Sequence, residues 1–304
     1  MKKMIAILLA LVLALGCAAC ASSAKTAASA ASASAAVSGS AAASGSAAAS
    51  GSAADTGRLG EIKSRGYLEV CTEPYFAPFE FIDASKTGDE QYVGVDIELA
   101  KYIADKLGVE LRIVPLEFSA VLAGITDGKY DLAISALAYS PARAENMNLS
   151  KGYYFGDSAY GFLVREEDKD KYTSIDSLKD AVVVTQSGSV QEALYNDQVK
   201  TCKEFKLVSS MTDGFLMVSE GKADVCICAT ANGQLYADAN GGLAIPDFTF
   251  DVSEDMLGTR VGIPKGEDSL TDFVNTCIDE LTAKGQIEAW NTQYTEYAKS
   301  LGIQ

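Results

Sequence analysis

The chain contains no histidine in 304 residues. That removes the side chain most used as a general base near neutral pH, and the commonest nitrogen ligand of zinc. Positive charge is scarce too: 25 Lys and Arg stand against 41 Asp and Glu, a formal net charge of −16. All 41 acids follow residue 54, whereas Lys2, Lys3 and Lys25 precede it, so the chain beyond residue 54 carries 22 − 41 = −19. So acidic a body argues against nucleic acid and anionic membrane surfaces as partners. The opening apolar run, Ile5–Leu15, is too short for an ordinary membrane-spanning helix. Five cysteines remain beyond residue 20, an odd number, so at least one is free or pairs between molecules. Cys226 and Cys228 alternate on an apparent strand and share one face. With no second Cys or His pair nearby they read as small packing residues, and neither a metal nor a cofactor is expected.

What is present begins with an export segment. Lys2 and Lys3 precede Ile5–Leu15, and the small residues Gly16-Cys17-Ala18-Ala19-Cys20 follow, the order of a signal peptide over residues 1–20. A cysteine after small residues points to lipidation, at Cys20 after Ala18-Ala19 or at Cys17 after Leu15-Gly16; plain secretion is the alternative. Residues 21–57 are nearly all Ala, Ser and Gly, with the unit Ser-Gly-Ser-Ala-Ala-Ala recurring from Ser38. Nothing there can fill a core, so this stretch reads as a flexible tether with an r.m.s. span on the order of 30 Å.

Strands and helices alternate beyond it. Strands are expected at Tyr67–Thr72, Gln91–Val95, Val109–Ile113 and Asp131–Ala138, with helices over Asp96–Leu107 and Ser119–Thr126. The same plan returns in strands Ala181–Thr185 and Ala223–Cys228. A capping box is expected at Ser189-Val-Gln-Glu192, a helix over Gly214–Glu220, another capped by Thr230, and a long one capped by Ser269. Lys129-Tyr-Asp-Leu-Ala-Ile-Ser135 is echoed by Lys222-Ala-Asp-Val-Cys-Ile-Cys228. Two α/β units of similar plan imply two lobes with a cleft between them.

Asp131 to Arg143 carries the chemistry. A buried strand runs into Ser140, a good N-cap, and Pro141, suited to the first helical position. Arg143 then falls in the first turn, where the helix dipole disfavours a cation. Free N–H donors beside a guanidinium make a site for a carboxylate. Taken alone, the stretch fits a surface arginine equally well.

Six segments together change that balance. They are Cys71-Thr-Glu-Pro-Tyr-Phe-Ala-Pro-Phe-Glu80, Tyr92-Val-Gly-Val-Asp-Ile-Glu-Leu-Ala100, Gly128-Lys-Tyr-Asp-Leu-Ala-Ile134, Ser140-Pro-Ala-Arg143, Gln186-Ser-Gly-Ser189 and Gly262-Ile-Pro-Lys-Gly266. In this order, over about residues 58–300, the chain resembles the extracellular solute-binding proteins of ABC importers, specifically the polar amino-acid-binding family (family 3). The resemblance implies an α/β, two-lobed type II periplasmic-binding-protein fold, each lobe a mainly parallel sheet flanked by helices. Residues 58–157 and 258–304 would form lobe 1 and residues 158–257 lobe 2, joined by hinge strands near residues 155–159 and 255–259.

It also implies a site. Arg143 matches the arginine that clamps the ligand's α-carboxylate, with Ser135, Ala136 and Ala138 on the same approach and the turn Gly188, Ser189 and Val190 meeting the carboxylate from lobe 2. Phe76 and Phe118 match aromatics that pack over the ligand, and Glu73 a position that touches its side chain; Tyr139 is also expected to help fill the cleft. Two positions depart from the family pattern. Ala138 stands where Ser or Thr is usual, and Ala229 stands where an Asp usually holds the α-ammonium. Glu73 could take that role, Thr230 and Asn232 could offer neutral contacts, or the ligand could lack an ordinary α-amino group. The implied function is capture of a small carboxylate-bearing solute, an amino acid or analogue, for an ABC importer permease. The protein would be a monomer, extracytoplasmic and held to the cell membrane by its lipid anchor, with no catalytic role. The alternatives are a cleft enzyme of the same fold, such as a dehydratase, or a cell-surface sensor module.

Overall fold

The computed structural model describes residues 57–156 and 159–302. The expected signal peptide, the lipidation candidates Cys17 and Cys20, and the tether up to residue 56 lie outside the described residues.

The first lobe opens with α1 (Arg58–Arg65), β1 (Tyr67–Thr72), β2 (Tyr75–Phe76), β3 (Glu80–Ile82), β4 (Tyr92–Val93), α2 (Val95–Leu107), β5 (Glu110–Pro115), α3 (Phe118–Thr126), β6 (Leu132–Ala138), α4 (Pro141–Asn146) and β7 (Met147–Leu149). The second follows with β8 (Tyr160–Arg165), β9 (Val182–Gln186), α5 (Val190–Gln198), β10 (Glu204–Val208), α6 (Met211–Ser219), β11 (Val225–Ala229), α7 (Thr230–Asn240) and β12 (Leu243–Ala244). The chain then returns to the first lobe as β13 (Thr259–Pro264), α8 (Asp268–Thr282) and α9 (Gln286–Leu301).

Each lobe is built on a five-stranded sheet, in the orders β5-β1-β6-β13-β7 and β10-β9-β11-β8-β12. The two orders are one plan used twice. β1 runs parallel to β5 and β6, and β9 parallel to β10 and β11. One strand of each sheet opposes its neighbours, β13 in the first and β8 in the second. These are the two strands reached directly from the crossings, which pair at Tyr154 and Thr259. The sheets are therefore mixed, and the parallel strands of both lobes end where the opposed strands begin.

Alternation along the strands fills a core on each face. In the first sheet Leu68, Val70, Leu132, Ile134, Val261 and Ile263 pack beneath α1, α2, α8 and α9. Cys71, Ala133, Leu137 and Met147 turn the other way, onto Phe118, Val121 and Ile125 of α3. In the second, Phe162, Val164, Val183, Val225 and Ile227 meet α5, while Leu163, Val184, Cys226 and Cys228 meet α6 and α7. Cys226 and Cys228 thus share a buried face, both as free thiols. Each large apolar side chain so buried contributes roughly 1.5–3 kcal/mol relative to exposure.

The echoed motifs do the same structural work. Asp131 accepts the Glu69 N–H at 2.8 Å and pairs with Arg58 and Arg65. Asp224 accepts the Val182 N–H at 2.8 Å and pairs with Arg165. In both lobes an aspartate just before a central strand ties that strand to its parallel neighbour.

Several local expectations shift. The strand expected at Gln91–Val95 shortens to Tyr92–Val93, because α2 already begins at Val95. Gly94 makes this junction: its φ is 129°, and a Cβ there would sit 2.1 Å from the Phe79 carbonyl oxygen. The cap of α7 is Ala229 rather than Thr230, and that of α8 is Glu267 rather than Ser269, neither with a side-chain cap. At α5, Ser189 caps the Glu192 N–H as expected, but Glu192 reaches back to the Gly188 N–H at 2.6 Å.

Candidate functional site

The ends of β1, β6, β9 and β11 converge with the starts of β8 and β13 around a cavity of about 310 Å³. Open α/β sheets place ligands outside the carboxyl ends of their strands for this reason: the loops there bring backbone donors and side chains together.

Arg143 reaches the cavity from α4. Ser140 caps the helix by accepting the Arg143 N–H at 3.2 Å, and Pro141 fixes its first residue. The helix is only six residues long, so its dipole adds little and preference for an anion rests on the guanidinium. Arg143 as a whole is 8% exposed, and its guanidinium is tied into the wall. It donates to the Ala138 carbonyl at 2.7 Å and, across to the second lobe, to the Gly188 carbonyl at 3.0 Å. It lies 5.4 Å from the Phe118 ring centroid. Among the described residues no carboxylate pairs with it. Burial without a counter-ion pulls its pKa down to about 10.

An acidic floor lies on the same lobe. The Ser135 hydroxyl accepts the Glu73 N–H and donates to Glu80 Oε1, both at 3.0 Å. Glu80 also lies beside Asp96. Asp96 in turn accepts the Ala136 N–H and the Tyr153 hydroxyl, each at 2.7 Å. Burial pushes Glu73 up to about 8, against a hydrogen bond from Gln186 and with a small further rise from Asp213. It pushes Asp96 up to about 6, and burial beside Asp96 and Glu73 holds Glu80 well above the usual carboxylate range. Glu73 Oε1 and Glu80 Oε2 are buried with no partner. Among the described residues no group of three or more acidic or cysteine side chains is placed to hold a metal ion.

Most of the expected site residues line this one cavity: Glu73, Phe76, Phe118, Ser135, Ala136, Ala138, Arg143, Ser189, Val190 and Ala229. Their roles need correction in places. The Ala136 N–H, expected on the carboxylate's approach, is taken by Asp96, and Ala136 sits at φ 46°. The Ser189 hydroxyl is used locally, donating to the Gln186 carbonyl at 2.6 Å and capping Glu192. Its helix start leaves Val190 and Gln191 as the first N–H groups facing the cavity. Gly188 does not line the cavity; its N–H goes to Glu192 and its carbonyl to Arg143. Thr230 does not line it either, because its N–H and hydroxyl are both spent on the Ala159 carbonyl. Tyr139 borders a separate shallow depression, 5.5 Å from the Arg260 guanidinium.

Of the other lining residues, Asn232 was expected from sequence as a neutral contact, and the rest were not singled out. Glu80 ends the aromatic segment Cys71–Glu80, and an acid inside such an apolar run was the available signal. Gln186 ends β9, and Asn232 stands in the first turn of α7. Tyr154, Tyr160 and Thr259 come from the crossings, and Asn291 and Lys299 from α9; nothing in their local sequence marks them.

Among the described residues three hydrogen bonds join the lobes around the cavity. Besides Arg143 to Gly188, the Asn232 amide donates to the Ala77 carbonyl at 3.1 Å and the Thr212 hydroxyl to the Tyr75 carbonyl at 3.3 Å. Phe76 of the first lobe packs on the second lobe's core, and Leu235 of α7 on the first lobe's. The arrangement is a closed one, with the cavity walled from both sides.

Comparison with known proteins agrees with this geometry. The family model described as bacterial extracellular solute-binding proteins, family 3, matches residues 68–297. The arginine-binding extracellular protein ArtP of Bacillus subtilis (strain 168) is 27% identical over 222 residues, covering 71% of this chain and 81% of ArtP. The histidine-binding periplasmic protein of Escherichia coli (strain K12) is 25% identical over 241 residues, covering 76% of this chain and 88% of that protein. Among solved structures, the amino acid ABC transporter substrate-binding protein AbpA of Streptococcus pneumoniae, bound to L-arginine, superposes with a TM-score of 0.73 at 30% identity. That match covers 81% of this chain and 99% of AbpA.

Proposed function

Because the chain belongs to the bacterial extracellular solute-binding proteins of family 3, we propose that its cavity captures an amino acid with a basic side chain for delivery to an ABC importer. The observation that carries this is an unpaired buried cation and unsatisfied carboxyl oxygens in one cavity. Arg143 is buried without a carboxylate, and Glu73 and Glu80 are buried with unpartnered acceptor oxygens. Isolated buried charge and unpaired buried acceptors are costly. A ligand bearing a carboxylate at one end and a donor-rich cation at the other removes both costs at once. The arginine- and histidine-binding relatives support the same choice.

In this reading Arg143 holds the carboxylate in bidentate fashion, with the first N–H groups of α5 beside it and Phe118 and Phe76 packed over the ligand. Glu73, backed by Glu80, takes the side-chain cation. Residues 58–157 with 258–304 and residues 158–257 move as hinged halves about the Tyr154–Thr259 pairing, and closure forms the cross-lobe bonds described above. The ligand leaves chemically unchanged, since binding and release are all the site is built for. The protein works outside the cytoplasm as a monomer, docks on its permease, and is held to the membrane through lipidated Cys20, or Cys17, and the 21–57 tether.

A thermal-shift screen against amino acids, α-keto acids and small organic acids tests the reading, because a ligand of the folded state raises its apparent stability. Arginine, lysine or histidine should give the largest shifts. A shift with deaminated acids alone would overturn it.

A further inference from the structure

The amide of Asn232 is half used. It is 5% exposed and lines the cavity from the first turn of α7. Its Nδ2 donates to the Ala77 carbonyl of the other lobe at 3.1 Å. A carbonyl accepts only from a donor, so this bond fixes which end of the amide is nitrogen. The other end, Oδ1, is buried and has no partner. A buried acceptor left in that state costs about 1–3 kcal/mol, yet the residue is held firmly in place.

Gln186, Gln191 and Asp238 also line the cavity from the second lobe, but among the described residues Asn232 Oδ1 is the one second-lobe side-chain atom that is buried with no partner. Ala229 has no polar side-chain atom, the Thr230 hydroxyl is bound to Ala159, and Gln234 and Asp238 stand at the cavity's exposed edge, bonded to each other at 2.6 Å. Glu73 and Glu80, the other unpartnered acceptors of the cavity, both belong to the first lobe. We propose that Asn232 Oδ1 is the second lobe's acceptor for the ligand's α-amino group, and so sets selectivity for amino acids over their deaminated counterparts. The inference rests on the amino-acid reading above and refines it.

The anchoring bond gives this acceptor a timing. Nδ2 meets the Ala77 carbonyl only when the lobes are together, so Oδ1 is aimed at the ligand in the closed state and is free to turn in the open one. The acceptor is also neutral. An amide takes a hydrogen bond from an ammonium, an uncharged amine or a hydroxyl, and so selects less sharply than a carboxylate.

Calorimetric titration with L-arginine and with 5-guanidinopentanoic acid, which is arginine without its α-amino group, isolates the contact. The wild-type protein should prefer arginine by about tenfold, the worth of one hydrogen bond to a charged donor. Asn232→Leu should bring the two affinities to within about twofold of each other, by loss of arginine affinity beyond any loss shared by both ligands. Asn232→Asp, close in shape and safe against misfolding of the leucine variant, should widen the preference. An equal fall for both ligands in Asn232→Leu, with the preference intact, would reduce Asn232 to a lobe-to-lobe tie and overturn the assignment. Equal wild-type affinities for the two compounds would overturn it as well. Wild-type protein that binds neither compound would defeat the basic-amino-acid reading, and this assignment with it.

Discussion

The guanidinium of Arg143 in the first lobe donates to the carbonyl of Gly188 in the second at 3.0 Å. One side chain therefore both offers a site for a carboxylate and reports that the lobes have closed. Ligand capture and closure are coupled at a single group, as expected where binding selects one of two arrangements.

Arg143→Ala should weaken binding of a basic amino acid by roughly 30- to 5,000-fold, the range for removing one partner of a buried charge pair. The ligand-free melting temperature should stay within about 4 °C of wild type, because no carboxylate partner loses its mate. Calorimetry beside a thermal melt separates the two effects; unchanged affinity would remove Arg143 from the site.

Proton release should accompany capture of a cationic ligand. Glu73 titrates near 8 when ligand-free, amid Gln186, Asp213 and Glu80. Below that pH it holds a proton that the ligand's cation must displace. Affinity should then rise with pH and level off above about 8, and the calorimetric enthalpy should vary with buffer ionisation. The ligand-free fold shows the opposite trend: a carboxyl with a raised folded pKa favours the fold fully below its unfolded value of 4.5, and that contribution is lost as pH rises toward 8. Glu73→Gln should weaken binding and flatten both profiles; a buffer-independent enthalpy in wild type would count against this linkage.

Thr212 does not line the cavity, yet its hydroxyl crosses to the Tyr75 carbonyl. Thr212→Ala should lower affinity for every ligand by about the same factor, roughly fivefold for a bond worth ~1 kcal/mol. Small-angle scattering should show a larger ligand-free radius. A ligand-dependent change would mean that Thr212 acts on the site itself.

Gly94→Ala should destabilise the first lobe by at least about 2 kcal/mol, by forcing a Cβ against the Phe79 carbonyl in a backbone region that L-residues rarely adopt. Since Phe79 and Glu80 are displaced with it, ligand affinity should fall too. Denaturant unfolding and titration of one preparation measure both; wild-type values in each would show that the junction yields.

The order of elements and the Arg143 segment were legible in sequence because both rest on local patterns: alternation, a Ser-Pro cap and a repeated Lys-x-Asp strand entry. The acidic floor was not. Glu80 and Asp96 lie 16 positions apart and meet because β3 and β4 fold back over the start of α2. Thr230 and Asn232 were both legible as neutral contacts, but which of them faces the cavity depends on where α7 begins, one residue earlier than a Thr230 cap implies. Tyr154, Tyr160 and Thr259 reach it by lying on the crossings, a property of topology that leaves no mark on neighbouring residues.

Three of the bonds that tie the lobes together end on main-chain carbonyls, those of Tyr75, Ala77 and Gly188. Substitution cannot delete a carbonyl oxygen. The receiving half of each tie is thus immune to ordinary point mutation, and its whole mutational exposure falls on the three donors, Thr212, Asn232 and Arg143. At these three ties drift can loosen the grip only through the donors, while the side chains of Tyr75 and Ala77 are free to vary without breaking them.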